Sequence, residues 1–286
     1  MPNRYSPGAG ITGPEGKGTD MQLQSPDLLH QTQRRNLARC AGVAVGAAAL
    51  FALLTVLTAT PGGPLAGLDR ASVNALHSYA RRHTVWTASV RTMDDLGGPA
   101  TMRVLLGLAA VWLLRLGART LAGWAAALAL VGWAAGRTAQ WTIARPRPHF
   151  TDPVAQAAGP GYPSGRAMAA LITCTALAAL LWPRATRAGR VAAGSAATLA
   201  VATVGFTGIA LGTHRPSDVL AGWLGAAVVL GAVTAVLELL HPGGLLRDSH
   251  RVDWQTRPRV RSARAPTPPS RHVTDPDGED PWEGDP

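Results

Sequence analysis

Residues 40–59 contain no charged side chain. A run of that length can cross a bilayer as a helix, because a hydrocarbon core about 30 Å thick takes about 20 helical residues. Comparable apolar runs recur over residues 99–114, 121–136, 167–182, 191–211 and 219–240. The shorter ones reach bilayer length only with their polar shoulders, so the second and third are the least sharply bounded. Backbone N–H and C=O groups in lipid find no water and must be satisfied within each run, which selects helix. The expected fold is all-α, a six-transmembrane-helix bundle.

Both ends read differently. Residues 1–33 are rich in Gly, Pro, Ser and Gln without an apolar period, the composition of a disordered tail. A polar leader followed by a long apolar run marks the first segment as a retained anchor, not a cleaved signal. The membrane domain is placed at residues 34–246, and residues 247–286 are expected to form a second disordered tail, basic and then acidic and Pro-rich. The formal net charge of +10 comes almost wholly from arginine, since Lys17 is the only lysine. Arg34, Arg35 and Arg39 precede the first apolar run, Arg115 and Arg119 separate the second and third, Arg184, Arg187 and Arg190 separate the fourth and fifth, and Arg247 and Arg251 follow the sixth. Positive charge favours the cytoplasmic side. Both termini are therefore assigned to the cytoplasm and the first, third and fifth loops to the outside of the plasma membrane. No aromatic-interleaved basic module accompanies these arginines, so nucleic acid is not an expected partner. The first outward loop, residues 61–98, carries Leu65, Leu68, Val73, Leu76 and Tyr79 at near-helical spacing, the pattern of an amphipathic helix on the outer surface. Cys40 and Cys174 fall inside apolar runs and read as small buried hydrophobes.

Three polar clusters share the outward face: Arg137 with Arg145-Pro146-Arg147-Pro148-His149, then Pro163-Ser164-Gly165-Arg166, then His214-Arg215-Pro216-Ser217-Asp218. Concentrating arginine there runs against topological preference, so an offsetting anion is expected. Ser164 and Gly165 stand at the start of the fourth apolar run, where free backbone N–H groups either bind an anion or are simply capped. His214 and Asp218, four residues apart, share a helical face. One reading has the carboxylate fix the imidazole tautomer and leave the other nitrogen as a nucleophile toward phosphorus; the other has Asp218 complement the helix dipole beside an ordinary loop histidine. No further His or carboxylate cluster suggests a metal, and no cofactor is expected. No broken-helix inverted repeat suggests a transporter.

With those residues in view, residues 60–240 resemble the type 2 phosphatidic acid phosphatase superfamily, which includes integral membrane lipid phosphatases. Its three motifs have counterparts here in order. Arg147-Pro148 match the first, with Gln140 at the lysine position and Arg137 one helical turn away. Pro163-Ser164-Gly165 match the second, with Arg166 at the histidine position. His214 and Asp218 match the third, with Thr207-Gly208 in place of Ser-Arg. The resemblance implies that His214 attacks phosphorus to give a phosphohistidine, that Asp218 orients it, and that Arg147, Ser164, Gly165 and Arg166 hold the phosphate.

It also implies a cost. A guanidinium stays protonated near neutral pH, so Arg166 cannot serve as the general acid that the family's histidine provides. His149 is the one nearby substitute, although a polar loop residue is the plainer reading. The expected function is hydrolysis of a lipid or polyprenyl phosphate or diphosphate at the outer leaflet. The alternative is a catalytically impaired pseudo-phosphatase that binds lipid phosphate.

Overall fold

A computed structural model describes residues 26–60 and 62–252 of the chain. Among these residues all regular structure is helical: α1 (Pro26–Ala59), α2 (Pro64–Arg82), α3 (Thr84–Leu96), α4 (Pro99–Arg115), α5 (Arg119–Ile143), α6 (Gly165–Leu181), α7 (Arg187–Ala210), α8 (Pro216–Leu240) and α9 (Gly244–Val252). The six apolar runs fall in α1 and α4 to α8. Five segments, Gln33–Ala59, Thr84–Arg115, Gly165–Arg184, Arg187–Ala210 and Pro216–Leu240, are long and apolar enough to cross a membrane. The chain is a multi-pass membrane protein. α5 stands outside that set because Trp124, Trp133, Trp141 and Arg137 dilute its apolar character, yet it is central to the bundle. Its Trp124, Ala125 and Leu128 pack with Leu106 and Leu113 of α4, Met168 and Ile172 of α6, and Val229 of α8. Six membrane helices are counted only when α5 is included.

The expected tails are corrected at both ends, and the first connection holds more than one helix. The connection between α1 and α4 holds two helices, α2 and α3, and the face that α2 buries is Asp69, Val73, His77 and Ala80, while Leu68 and Tyr79 are exposed. Val73 of the expected apolar pattern is buried and Leu65 and Leu76 are half-buried, beside the buried polar groups Asp69 and His77. The segment after residue 246 is not all tail: α9 runs to Val252, whose side chain is buried and whose carbonyl accepts two bonds from Arg184, and the Asp248 carboxylate accepts from the N–H groups of Thr120 and Leu121. Those bonds satisfy donors at the start of α5 that have no intrahelical partner, which ties α9 to the bundle. At the other end α1 begins at Pro26, inside the expected tail, with the proline at a position where its missing N–H is tolerated. The acidic Pro-rich end and residues 1–25 lie outside the described residues.

α8 is the axis on which the site is built. α1 packs along it, and α6 meets it at Gly222, where an added Cβ would stand 2.5 Å from the Ser164 carbonyl oxygen. Only a residue without a side chain lets the start of α6 come that near. The Ser164 N–H also donates to the Asp218 carbonyl at 2.9 Å, so the N-termini of α6 and α8 are locked together.

Candidate active site

The residues that lie at this junction come from two loops, 144–164 and 211–215, and from the first turns of α6 and α8. His214 is almost wholly buried, and the shortest contact differs between its ring nitrogens, with Arg147 Nη1 also 3.5 Å from Nδ1. Nδ1 is 3.0 Å from the Gly161 carbonyl, and Nε2 is 3.0 Å from Arg147 Nη1. A carbonyl only accepts and a guanidinium only donates, so these contacts require hydrogen on Nδ1 and a lone pair on Nε2. Burial first, then the charges of Arg147 and Arg166, lower the His214 pKa to about 3, which leaves a neutral ring near pH 7. A neutral imidazole with its Nε2 lone pair on the cationic side is suited to attack an electron-poor phosphorus.

Asp218 takes a different position from the orienting role that the motif implies. Its Oδ2 is 3.9 Å from His214 Nδ1, beyond hydrogen-bond distance, and the Gly161 carbonyl occupies that place. The carboxylate instead receives Arg145 Nη1 at Oδ1 (2.8 Å) and the Arg215 N–H at Oδ2 (2.8 Å), closing the first turn of α8. Arg145 is further held by Asp69 of α2, which also accepts the N–H and hydroxyl of Ser217 at 3.1 and 2.6 Å. Arg145 is thus bracketed by two carboxylates and its charge is spent on structure, whereas Arg147 keeps its guanidinium beside His214.

The other motif positions divide in the same way. Ser164 caps α6, accepting from the Ala167 N–H, and Gly165 opens the helix. Arg166 is ion-paired with Asp94 of α3, and the Thr207 hydroxyl donates to the same carboxylate at 3.1 Å. Gln140 is buried and its amide donates to the Pro163 carbonyl, so it braces the loop before α6. The Gly208 carbonyl receives the N–H groups of Thr213 and His214, and a Cβ at Gly208 would lie 3.2 Å from His214 Cδ2. The imidazole therefore rests on bare backbone where the family motif has an arginine. His149 is exposed and does not line the cavity described next.

That cavity has a volume of about 450 Å³ and opens from His214, Arg147 and Arg166 down between α4, α5 and α6, where Leu106, Leu128 and Ile172 line it. Its upper end is cationic and its lower end apolar, the division expected of a site for an anion carrying a hydrocarbon tail. Sequence reasoning missed Asp69, Asp94 and Gly161. Asp69 alone left a signal, one turn ahead of Val73 on the same face of α2.

Comparison with known proteins agrees with the fold. A family model described as the PAP2 superfamily matches residues 120–241, the stretch from α5 to the end of α8. Over that segment, somewhat less than half of the chain, the sequence is similar to the PAP2 superfamily. The structure is also similar to the crystal structure of a transmembrane PAP2 type phosphatidylglycerolphosphate phosphatase from Bacillus subtilis. That match has 19% sequence identity and a TM-score of 0.58, and covers 70% of this chain and 98% of that one. No curated protein matches the chain significantly. At this identity the likeness fixes a PAP2 membrane phosphatase fold; chemistry has to be argued from the residues present.

Proposed function

We propose that this PAP2 protein is a phosphatase of the plasma membrane that hydrolyses a lipid or polyprenyl phosphate or diphosphate at the outer leaflet, with both termini cytoplasmic. The observation that carries the reading is His214 Nε2, unprotonated and directed toward Arg147 at the cationic end of an apolar-floored cavity. In the proposed reaction the phosphate seats against Arg147, Arg166 and the N-terminus of α6, where Ser164 and Gly165 begin the helix. Nε2 forms a bond to phosphorus as the P–O bond to the leaving group breaks. The proton stays on Nδ1, donated to the Gly161 carbonyl, and water then cleaves the phosphohistidine to free phosphate and restore Nε2. Asp218 and Asp69 act through Arg145, as positioning residues.

Purified protein mixed with ³²P-labelled lipid phosphate should give an acid-labile, base-stable phosphoenzyme that His214→Ala lacks. A phosphoenzyme that persists in His214→Ala would place the nucleophile elsewhere. The pseudo-phosphatase reading is favoured by two observations, the Arg166 to Asp94 ion pair and the absence of a cation at Gly208. It predicts vanadate binding without turnover of any lipid phosphate.

A further inference from the structure

Two arginines line the same cavity and have no part in the phosphatase reading above. Arg103 lies in the second turn of α4 and Arg137 near the end of α5. At 1.5 Å per residue, Arg103 sits about 6 Å below the start of α4 and Arg137 about 9 Å below the end of α5. The two helices pack as neighbours, so the arginines stand at similar depth on the rim of one cavity. Neither is held by an acid. Among the described residues Arg103 has no hydrogen-bond or ion-pair partner, and Arg137 has only the Trp141 ring, 5.8 Å from its guanidinium carbon. Both residues are exposed at the cavity rim, and two neighbouring cations left there without an acid point to an anion.

The second observation is chemical and independent of the first. The site offers no proton donor for a leaving group: Arg166 stands at the acid position, Gln140 braces a loop, and His149 is outside the cavity. A lipid alkoxide leaves badly without a proton, whereas a phosphate leaves with its charge already stabilised and needs only cations around it.

We propose that Arg103 and Arg137 form a second anion subsite that receives the inner phosphate of a lipid diphosphate, with the terminal phosphate at Arg147 and Arg166 and the tail between α4, α5 and α6. The proposal rests on the phosphatase reading and narrows its substrate class to diphosphates. The Nε2 lone pair of His214 forms the N–P bond to the terminal phosphorus. The bridging P–O bond breaks with its electron pair remaining on oxygen, which becomes a terminal oxygen of the departing lipid monophosphate beside the two arginines. Water attacks the phosphohistidine, the N–P pair returns to Nε2, and inorganic phosphate leaves with one water proton on it and the other in solvent. The sum is diphosphate plus water to two monophosphates.

The test uses the full chain in detergent, with geranylgeranyl diphosphate and dioleoyl phosphatidic acid as the two substrates. For the Arg103→Gln, Arg137→Gln double variant, the ratio of kcat/KM for diphosphate over monoester should fall about 100-fold, since loss of a donor to transition-state charge costs about 10²- to 10³-fold. Arg103→Lys, Arg137→Lys should recover most of that ratio. An unchanged ratio overturns the proposal, because two arginines that only anchor helices at the lipid interface would affect both substrates alike. A binding arm separates failure of this inference from failure of the phosphatase reading. If no lipid phosphate is turned over, the wild type should still bind methylenediphosphonate about 10-fold or more tightly than inorganic phosphate, a preference that the glutamine double variant loses. Equal affinity for the two anions in the wild type refutes the subsite whatever the catalytic outcome.

Discussion

Asp69 offers a sharp test of how α2 controls the site. Its carboxylate is 2% exposed and accepts three hydrogen bonds: one from the Ser217 N–H at the start of α8, one from the Ser217 hydroxyl and one from Arg145. Asp69→Ala removes all three bonds and leaves the Arg145 guanidinium, itself mostly buried, with Asp218 as its one carboxylate. Breaking a buried ion pair by removing one partner costs about 3 to 5 kcal/mol. Arg145 retains its second carboxylate, so about 2 to 4 kcal/mol is expected. For a domain of this size each kcal/mol moves Tm by about 2 to 4 °C, which puts the fall at roughly 4 to 16 °C. Asp69→Asn keeps the shape, but an amide offers one acceptor and one donor where two acceptors are needed, and the NH₂ must face either a guanidinium or a backbone N–H. It should lie between Asp69→Ala and the wild type. Asp152 provides the contrast. It pairs with Arg81 at 3.0 Å, but both side chains are more than half exposed, and such pairs contribute about 0 to 1 kcal/mol. Thermal melts in one detergent, with a double-mutant cycle between Asp69 and Arg145, decide the matter. If Asp69→Ala lowers Tm no further than Asp152→Ala, the proposed anchoring of α8 through α2 is wrong.

His214 carries a pH dependence of definite sign. With a folded pKa of about 3 against an ordinary 6.5, the folded state binds fewer protons than the unfolded chain between those values. This contribution to stability is therefore full above about pH 6.5 and is lost as pH falls toward 3. Between pH 7.5 and 4.5 it amounts to about 2 to 3 kcal/mol at 1.36 kcal/mol per unit, and His214→Gln should lose that much less stability than the wild type over the same interval. Equal losses in the two proteins would show an ordinary, accessible histidine. Arg166→His should raise turnover of lipid monoesters relative to diphosphates by up to about 10²-fold, the scale of general acid catalysis, and steady-state kinetics on both substrate types would expose an unchanged ratio. Adding Gly208→Arg should reverse part of that gain, because its Cβ presses on the His214 ring. For topology, single cysteines at the exposed positions Gln156 and Ala188, in a background with Cys40 and Cys174 replaced, should react with an impermeant maleimide in intact cells at 156 and not at 188. The opposite pattern would invert the assignment.

What was legible in the sequence followed from physics that acts locally. Charge-free runs of bilayer length mark membrane helices whatever they pack against, and Ser164 announces the start of α6 because an N-cap is settled within a single turn. Arg147, Arg166 and His214 could be brought together only through motif order, and the structure places all three on one cavity. The rest depended on partners distant in sequence. Asp69 and Ser217 are 148 residues apart, and Thr207 and Asp94 are 113 apart, so no local pattern reports either contact. Short spacing misleads in the case of His214 and Asp218. Four residues on a helix make the two look like partners, yet the turn after α7, closed on the Gly208 carbonyl, tips the imidazole toward the Gly161 carbonyl and leaves the carboxylate to Arg145. The substitutions at Gln140, Arg166 and Gly208 then form one pattern when their contacts are followed. Two cationic positions of the motif have become a loop brace and a bare backbone support for the nucleophile. One position that carried a transferable proton has become a permanent charge held by Asp94. The change at Arg166 removes an ability to protonate a departing alkoxide, those at Gln140 and Gly208 remove cations beside the phosphate, and none touches the Nε2 lone pair. A site altered in that direction is fitted to a leaving group that departs as an anion, and Arg103 and Arg137 stand where such an anion would be received.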